Sequence, residues 1–182
     1  MKIYLASKSP RRRELLTQIG IDFEIIDVDI DESWDGKETP EDYVRRVALE
    51  KARAGKKLFK DDLPVLSADT AVVLDGHILG KAETRDEAIA MLERLSGKTH
   101  EVLSAVTVIK DREHSRINIS KVTFKDLTKK EIENYCNTDE PLGKAGGYAI
   151  QGKAAVFIER LEGSYSGVMG LPLYETQQLL DI

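Results

Sequence analysis

The stretch "EVLSAVTVIKDREHSRINISKVTF", residues 101–124, decides the fold class. Two runs rich in Val, Ile and Thr, 101–109 and 117–124, flank the charged segment KDREHSR. β-branched side chains are stiff at χ1 and fit a pleated surface. Two such runs joined by one turn read as a long antiparallel pair. Towards the N-terminus the same signal recurs. Residues 64–67 and 71–74 read as strands on either side of "SADT", and "LDGHIL" places Asp75-Gly76 at a hairpin turn.

Helices fill the intervals. Pro10 begins one running to residue 19, after a short strand at 2–6, and a second strand occupies 22–28. Residues 29–40 form a polar, acidic loop. Thr39-Pro40-Glu41-Asp42 opens a helix reaching about residue 57, with cap, N1 proline and first-turn acids in order. Thr84 caps a helix that ends at Gly97, and Thr128 caps "KKEIENYCN". "GGYAIQG" and then 154–158 return to strand, and Gly170-Leu171-Pro172 leads into a final helix. Strands and helices interleave without a regular βαβ count. The fold class is therefore mixed α/β, a sheet flanked by helices. With no repeat or linker, residues 1–182 make one domain, expected to carry a cleft.

The composition excludes several functions. A formal net charge of -5 with 6% aromatics argues against a nucleic-acid binder, which needs basic surface and stacking rings. Cys136 is the only cysteine, so neither a disulfide framework nor a cysteine zinc site is available. No apolar run approaches membrane-spanning length, and MKIYLASKS lacks a secretory h-region, so a cytoplasmic address is expected.

Six stretches could carry chemistry. "ASKSPRRREL", residues 6–15, sets Arg11, Arg12 and Arg13 in the first turn of a helix with Ser9 at its N-cap. Cations are disfavoured there, because the dipole's positive end and unpaired N–H groups already lie at that end. A bound anion reverses the sign of every term, so the stretch reads as a phosphate or carboxylate site. Asp69 in "SADT" follows an apolar run, and a buried carboxylate needs hydrogen bonds, an ion pair or a metal; a structural turn through Thr70 explains it equally well. The acidic loop with Asp29, Asp31 and Glu32, and the lysines Lys51 and Lys81, read by themselves as solvated surface. "GKAGGYAIQG", 143–152, suggests close backbone approach to a ligand or a neighbouring strand. His77, His100 and His114 have no metal-ligand spacing, lie at or near turns and read as incidental; Cys136 reads as packed.

Together, "LASKSPRRRELL", "EKARAG", "SADTAVVLDGHILGKA", "LSGKTHEVLSAV", "EPLGKAGGYAIQG" and "GSYSGVMGLPL" resemble, in order and spacing, the Maf family of septum-formation-associated nucleotide pyrophosphatases. The resemblance covers essentially the whole chain. It implies hydrolysis of a nucleoside triphosphate to monophosphate and pyrophosphate with a divalent cation, Mg²⁺ or Mn²⁺. It also implies an elongated mixed sheet in two lobes around a cleft, like the inosine triphosphate pyrophosphatases, in a cytoplasmic homodimer. The family's proton acceptor falls on Asp69. The specificity positions of its dTTP/UTP subgroup fall on Arg12, Thr70 and Gln151, whereas the 7-methyl-GTP subgroup departs there. Lys51, Lys81 and Glu32 match as well, while Ala82 stands where many relatives have Pro, a change expected to loosen the backbone beside Lys81.

On that resemblance Asp69 takes the proton of the attacking water or holds the metal, with Glu32 a second metal ligand. Ser7, Arg11, Arg12, Lys51 and Lys81 neutralise phosphates, and Gln151 faces the alternating acceptor and donor edge of uracil or thymine. Two rivals remain: a nucleotide-binding regulator of cell division that needs no turnover, and a binder of nucleic-acid backbones through the arginines.

Overall fold

The computed structural model describes residues 1–59 and 62–182. Its centre is the antiparallel ribbon anticipated at 101–124, with a tighter turn. β5 (Thr99–Ile109) and β6 (Glu113–Phe124) pair from Thr99↔Thr123 to Ile109↔Glu113, so only residues 110–112 are left to the loop. Glu113 to Arg116 are polar yet extended, because pairing with β5 satisfies their backbone groups and their side chains reach solvent.

β3 (Val65–Leu74) lies on the other side of β5, in antiparallel register from Val65↔Ile109 to Val73↔Glu101. "SADT" does not interrupt it: the two short strands expected around that motif are one continuous strand, and Asp69 sits in its middle. The local polarity of Ser67, Asp69 and Thr70 suggested a break, and burial between two layers overrides it. β3 turns through Asp75-Gly76 (φ 51° and 77°) into β4 (His77–Leu79). Two successive positive φ values match the twist of the flanking strands.

β1 (Lys2–Leu5) pairs in parallel with β3 at Tyr4↔Val65 and Leu5↔Leu66, and with β2 (Asp22–Ile25) on its far edge. β7 (Ile158–Glu162) closes the opposite edge beside β6. The resulting sheet has seven strands, β2-β1-β3-β5-β6-β7 with β4 also on β3. One edge of β3 is therefore shared: β1 takes residues 65–66 and β4 takes 72–74. No strand among the described residues pairs with that edge between Ser67 and Ala71.

Alternation sends successive β3 side chains to opposite faces. On one face, Ala71 and Val73 join Leu103 and Ala105 of β5 under Val44 and Ala48 of α2 (Pro40–Lys56). On the other, Leu66 and Ala68 pack with Leu15 and Leu16 of α1 (Pro10–Gln18), whereas Val72 and Leu74 pack with Ala88 and Leu92 of α3 (Arg85–Leu95) and Ile132 of α4 (Lys129–Cys136). Thr70 lies between these two apolar clusters. The caps at Thr39, Thr84 and Thr128 form as read, the last two as capping boxes with Glu87 and Glu131.

Two segments differ from expectation. "GGYAIQG" and the residues after it are not strand: they run through turns into a 3₁₀ helix, Lys153–Phe157. A short helix, α5 (Tyr165–Met169), precedes the expected final helix α6 (Leu173–Leu180). Its five residues leave no periodic pattern to read, and the capping bond from Gly167 N–H to Ser164 Oγ (2.9 Å) identifies it only in three dimensions. No described helix is long and apolar enough to cross a membrane.

Candidate active site

The open stretch of β3's edge is the floor of a cleft of about 440 Å³. Asp69, 7% exposed, points to the α2 face of the sheet. Lys51 of α2 reaches it, with Nζ 3.2 Å from Asp69 Oδ1, and the same Nζ lies 2.9 Å from Glu32 Oε2. Glu32 stands on the loop before α2. A strand, a helix and a loop thus bring two carboxylates onto one ammonium. Burial pushes the Asp69 carboxyl above its usual range, against the pull of Lys51 and Arg12. Burial also opposes the charge on Glu32, but hydrogen bonding to Lys51 and the charges of Lys51, Lys81 and Arg12 outweigh it, leaving that carboxyl below its usual range. The two acids have been driven in opposite directions, an arrangement typical of functional sites.

Thr70 opens onto the cleft from the opposite face. Its hydroxyl lies 2.7 Å from Ser104 Oγ, and Ser104 in turn donates to the Gly167 carbonyl at 2.6 Å. Arg12 spans this side: Nε donates to Gly170 O at 2.7 Å, Nη1 to Ser7 Oγ at 3.2 Å and Nη2 to Thr70 Oγ1 at 3.4 Å. Arg11 Nε donates to Met169 O at 3.2 Å. Both arginines are therefore held by carbonyls at the C-terminus of α5, the negative end of that helix. Part of the charge conflict at the start of α1 is resolved within the protein. Arg13 does not line the cleft. Ser9 occupies the N-cap position but its side chain makes no capping bond.

A family model described as "Maf-like protein" matches residues 2–182. The chain belongs to the Maf family. It is 56% identical over 184 residues to the dTTP/UTP pyrophosphatase of Alkalilimnicola ehrlichii, covering 98% of this chain and 91% of that one. It is 52% identical to the dTTP/UTP pyrophosphatase of Cupriavidus pinatubonensis, over 98% of this chain and 94% of that one. Among solved structures, a HAM1 protein from Coxiella burnetii aligns with TM-score 0.48 and 18% identity, over 68% of this chain and 73% of that one.

In this Maf-family chain the site residues implied by the family resemblance all line one cleft: Ser7, Arg11, Arg12, Glu32, Lys51, Asp69, Thr70, Lys81 and Gln151. Lys81 and Gln151 are exposed, and Gln151 has no side-chain hydrogen bond among the described residues. Lys81 is placed by a bridge to Ala145 and by Ala82, whose N–H donates to Lys144 O at 3.3 Å. A proline there would lack that donor, so Ala82 adds a tie to this segment instead of loosening it. Of the glycines at 143–152, Gly146 approaches a neighbouring strand: a Cβ on it would lie 2.9 Å from Val72 Cγ1.

His100 is not at a turn. It is 1% exposed within β5, with Nε2 2.7 Å from Tyr148 Oη, in a core where Cys136 is also buried. Sequence reasoning missed Ser104 and the carbonyls of Met169 and Gly170. Main-chain acceptors carry no side-chain signature, and Ser104 differs from its neighbour Ala105 only by one hydroxyl.

Proposed function

We propose that this Maf-family chain is a pyrophosphatase that hydrolyses dTTP and UTP to the monophosphate and pyrophosphate. One observation carries the reading: the buried carboxylate of Asp69 opens onto a cleft that Arg11, Arg12, Lys51 and Lys81 also line, with Glu32 sharing Lys51. The full-length relatives named dTTP/UTP pyrophosphatase support the same conclusion.

Water attacks the α-phosphorus opposite the bridging oxygen. A new P–O bond forms, the bond to the bridging oxygen breaks, and pyrophosphate leaves with the electron pair. The Asp69 carboxylate takes the water's proton, a role for which an upward-shifted acid with access to the cleft is suited. Arg11, Arg12, Lys51 and Lys81, with the Ser7 hydroxyl, neutralise and orient the phosphates. The convergence of Asp69 and Glu32 on one ammonium fits a divalent cation, since Mg²⁺ takes one or two carboxylates and completes its shell with phosphate and water. Bound by Asp69 and Glu32, Mg²⁺ or Mn²⁺ would supply positive charge beside the reacting phosphate. Gln151, without a side-chain partner among the described residues, offers a donor and an acceptor to the pyrimidine edge, and the Arg12–Thr70–Ser104 chain orders another part of the cleft.

The reading extends to a cytoplasmic homodimer acting on free nucleotides; the family resemblance supports the dimer, and the net charge of -5 disfavours nucleic acid. Pyrophosphate release should be measured on a panel of natural triphosphates with Mg²⁺ or Mn²⁺ and with a chelator. Turnover of UTP and dTTP well above the purine triphosphates, lost on chelation, is expected. No pyrophosphate from any triphosphate would remove the enzyme reading.

A further inference from the structure

Glu32 enters the cleft from a loop, residues 26–39, without regular secondary structure. Such a segment would ordinarily place a side chain loosely. Here three consecutive carbonyls are pinned by two side chains of α2. Arg46 Nη1 donates to Asp31 O at 3.3 Å, Tyr43 Oη donates to Glu32 O at 2.9 Å, and Arg46 Nη2 donates to Ser33 O at 2.9 Å. Arg46 is itself oriented by Glu38, whose carboxylate accepts from Nε at 3.0 and 3.2 Å and from Nη2 at 2.6 Å, and by Glu50 at 3.4 Å. Its guanidinium also lies over the Tyr43 ring, 5.6 Å from the centroid.

Tyr43, Arg46 and Glu50 recur at helical spacing, so one face of α2 carries the whole arrangement. Lys51 of the same helix takes the Glu32 carboxylate. Helix α2 therefore fixes both the backbone and the side chain of Glu32. A partly exposed ion pair such as Arg46–Glu38 contributes little by itself. Bonds to carbonyls on both sides of Glu32 fix the residue's peptide planes, which a fork of donors can do and a lysine cannot.

We infer that Tyr43 and Arg46 are positioning residues that hold Glu32 in the geometry required for the divalent cation. The inference rests on the pyrophosphatase reading. It predicts a split between metal affinity and catalysis. Arg46→Met should raise the half-saturating Mg²⁺ concentration for UTP hydrolysis by ~10–100-fold, the usual consequence of losing a group that orients a ligand. Turnover should largely recover at high Mg²⁺. Tyr43→Phe, which deletes one hydroxyl and leaves the ring, should act in the same direction by less, and it keeps the test open if Arg46→Met fails to fold.

Two measurements do not depend on activity. Hydrogen exchange at the amides of residues 31–34 should accelerate in both variants, and calorimetry should show weaker Mn²⁺ binding in the presence of a non-hydrolysable UTP analogue. Folded variants with wild-type Mn²⁺ affinity, or with wild-type exchange in the loop, would overturn the inference, as would a uniform fall in turnover that Mg²⁺ does not restore. If the wild-type protein releases no pyrophosphate, the pyrophosphatase reading falls, and exchange and Mn²⁺ calorimetry decide the clamp by themselves.

Discussion

Asp69 is buried yet ionisable, and its partner Lys51 is shared with Glu32. Asp69→Asn keeps the shape of the side chain, so the fold should persist, but the amide cannot take a proton at neutral pH. Loss of a general base costs ~10²–10⁴-fold in turnover. Pyrophosphate release, with a thermal melt to confirm folding, checks this, and near-normal turnover by the folded variant would refute the role. Gln151 is the opposite kind of residue, exposed and without a side-chain hydrogen bond among the described residues. Replacing it by alanine should leave stability unchanged and narrow the gap between UTP and purine triphosphates, because a site that hydrogen-bonds a base edge rejects the wrong edge by leaving its own groups unpaired. Equal slowing of every triphosphate would mean that Gln151 does not read the base. Of these two residues, only Asp69 carried a local warning in its sequence, a carboxylate inside an apolar run; Gln151 was legible through the family resemblance alone.

Among the elements, β3 does most to create the site. Its outer edge is paired at both ends and, among the described residues, meets no strand in the middle, where Asp69 points to one face and Thr70 to the other. The segment holding Gly146 is part of the cleft's construction. It crosses β3 with φ +68° and its N–H on Gly80 O at 3.1 Å, closely enough that a Cβ would collide with the branched Val72 side chain. Gly146→Ala should cost ~1–2 kcal/mol for the left-handed backbone, and overpacking of Val72 should add ~1–3 kcal/mol. Chemical denaturation measures the sum, and an unchanged midpoint would contradict the close contact. Glycines in this stretch were visible in the sequence, but the strand they approach was not.

Across the whole molecule, the core contains one imidazole whose ionisation opposes folding. Burial of His100 pushes its pKa down to about 4 from an ordinary 6.5, and its Nδ1 has no hydrogen-bond partner among the described residues. Between those pH values the unfolded chain takes up a proton that the folded chain refuses. His100 therefore costs no stability above pH 6.5 and destabilises the fold progressively as the pH falls towards 4, by about 3 kcal/mol at most. His100→Gln removes the titration and should flatten that part of the profile relative to wild type. Urea midpoints for both proteins at pH 7.5 and 4.5 provide the comparison; parallel curves would place the acid sensitivity elsewhere.

The sequence by itself determined the mixed α/β class, the antiparallel ribbon at its centre, the Asp75-Gly76 hairpin and the three threonine caps. Each rests on short-range physics, β-branched stiffness, positive φ or a hydroxyl three residues from an amide, which a local pattern records. The tertiary structure decided that β3 is continuous, that α5 exists, and that Arg11 and Arg12 are anchored on its C-terminal carbonyls. It also decided that Tyr43 and Arg46 grip the loop bearing Glu32. These depend on burial between layers and on main-chain acceptors brought from 11 to 158 positions away. A carbonyl is the same in every residue, so its partner is chosen by the path of the chain and leaves no mark in the sequence.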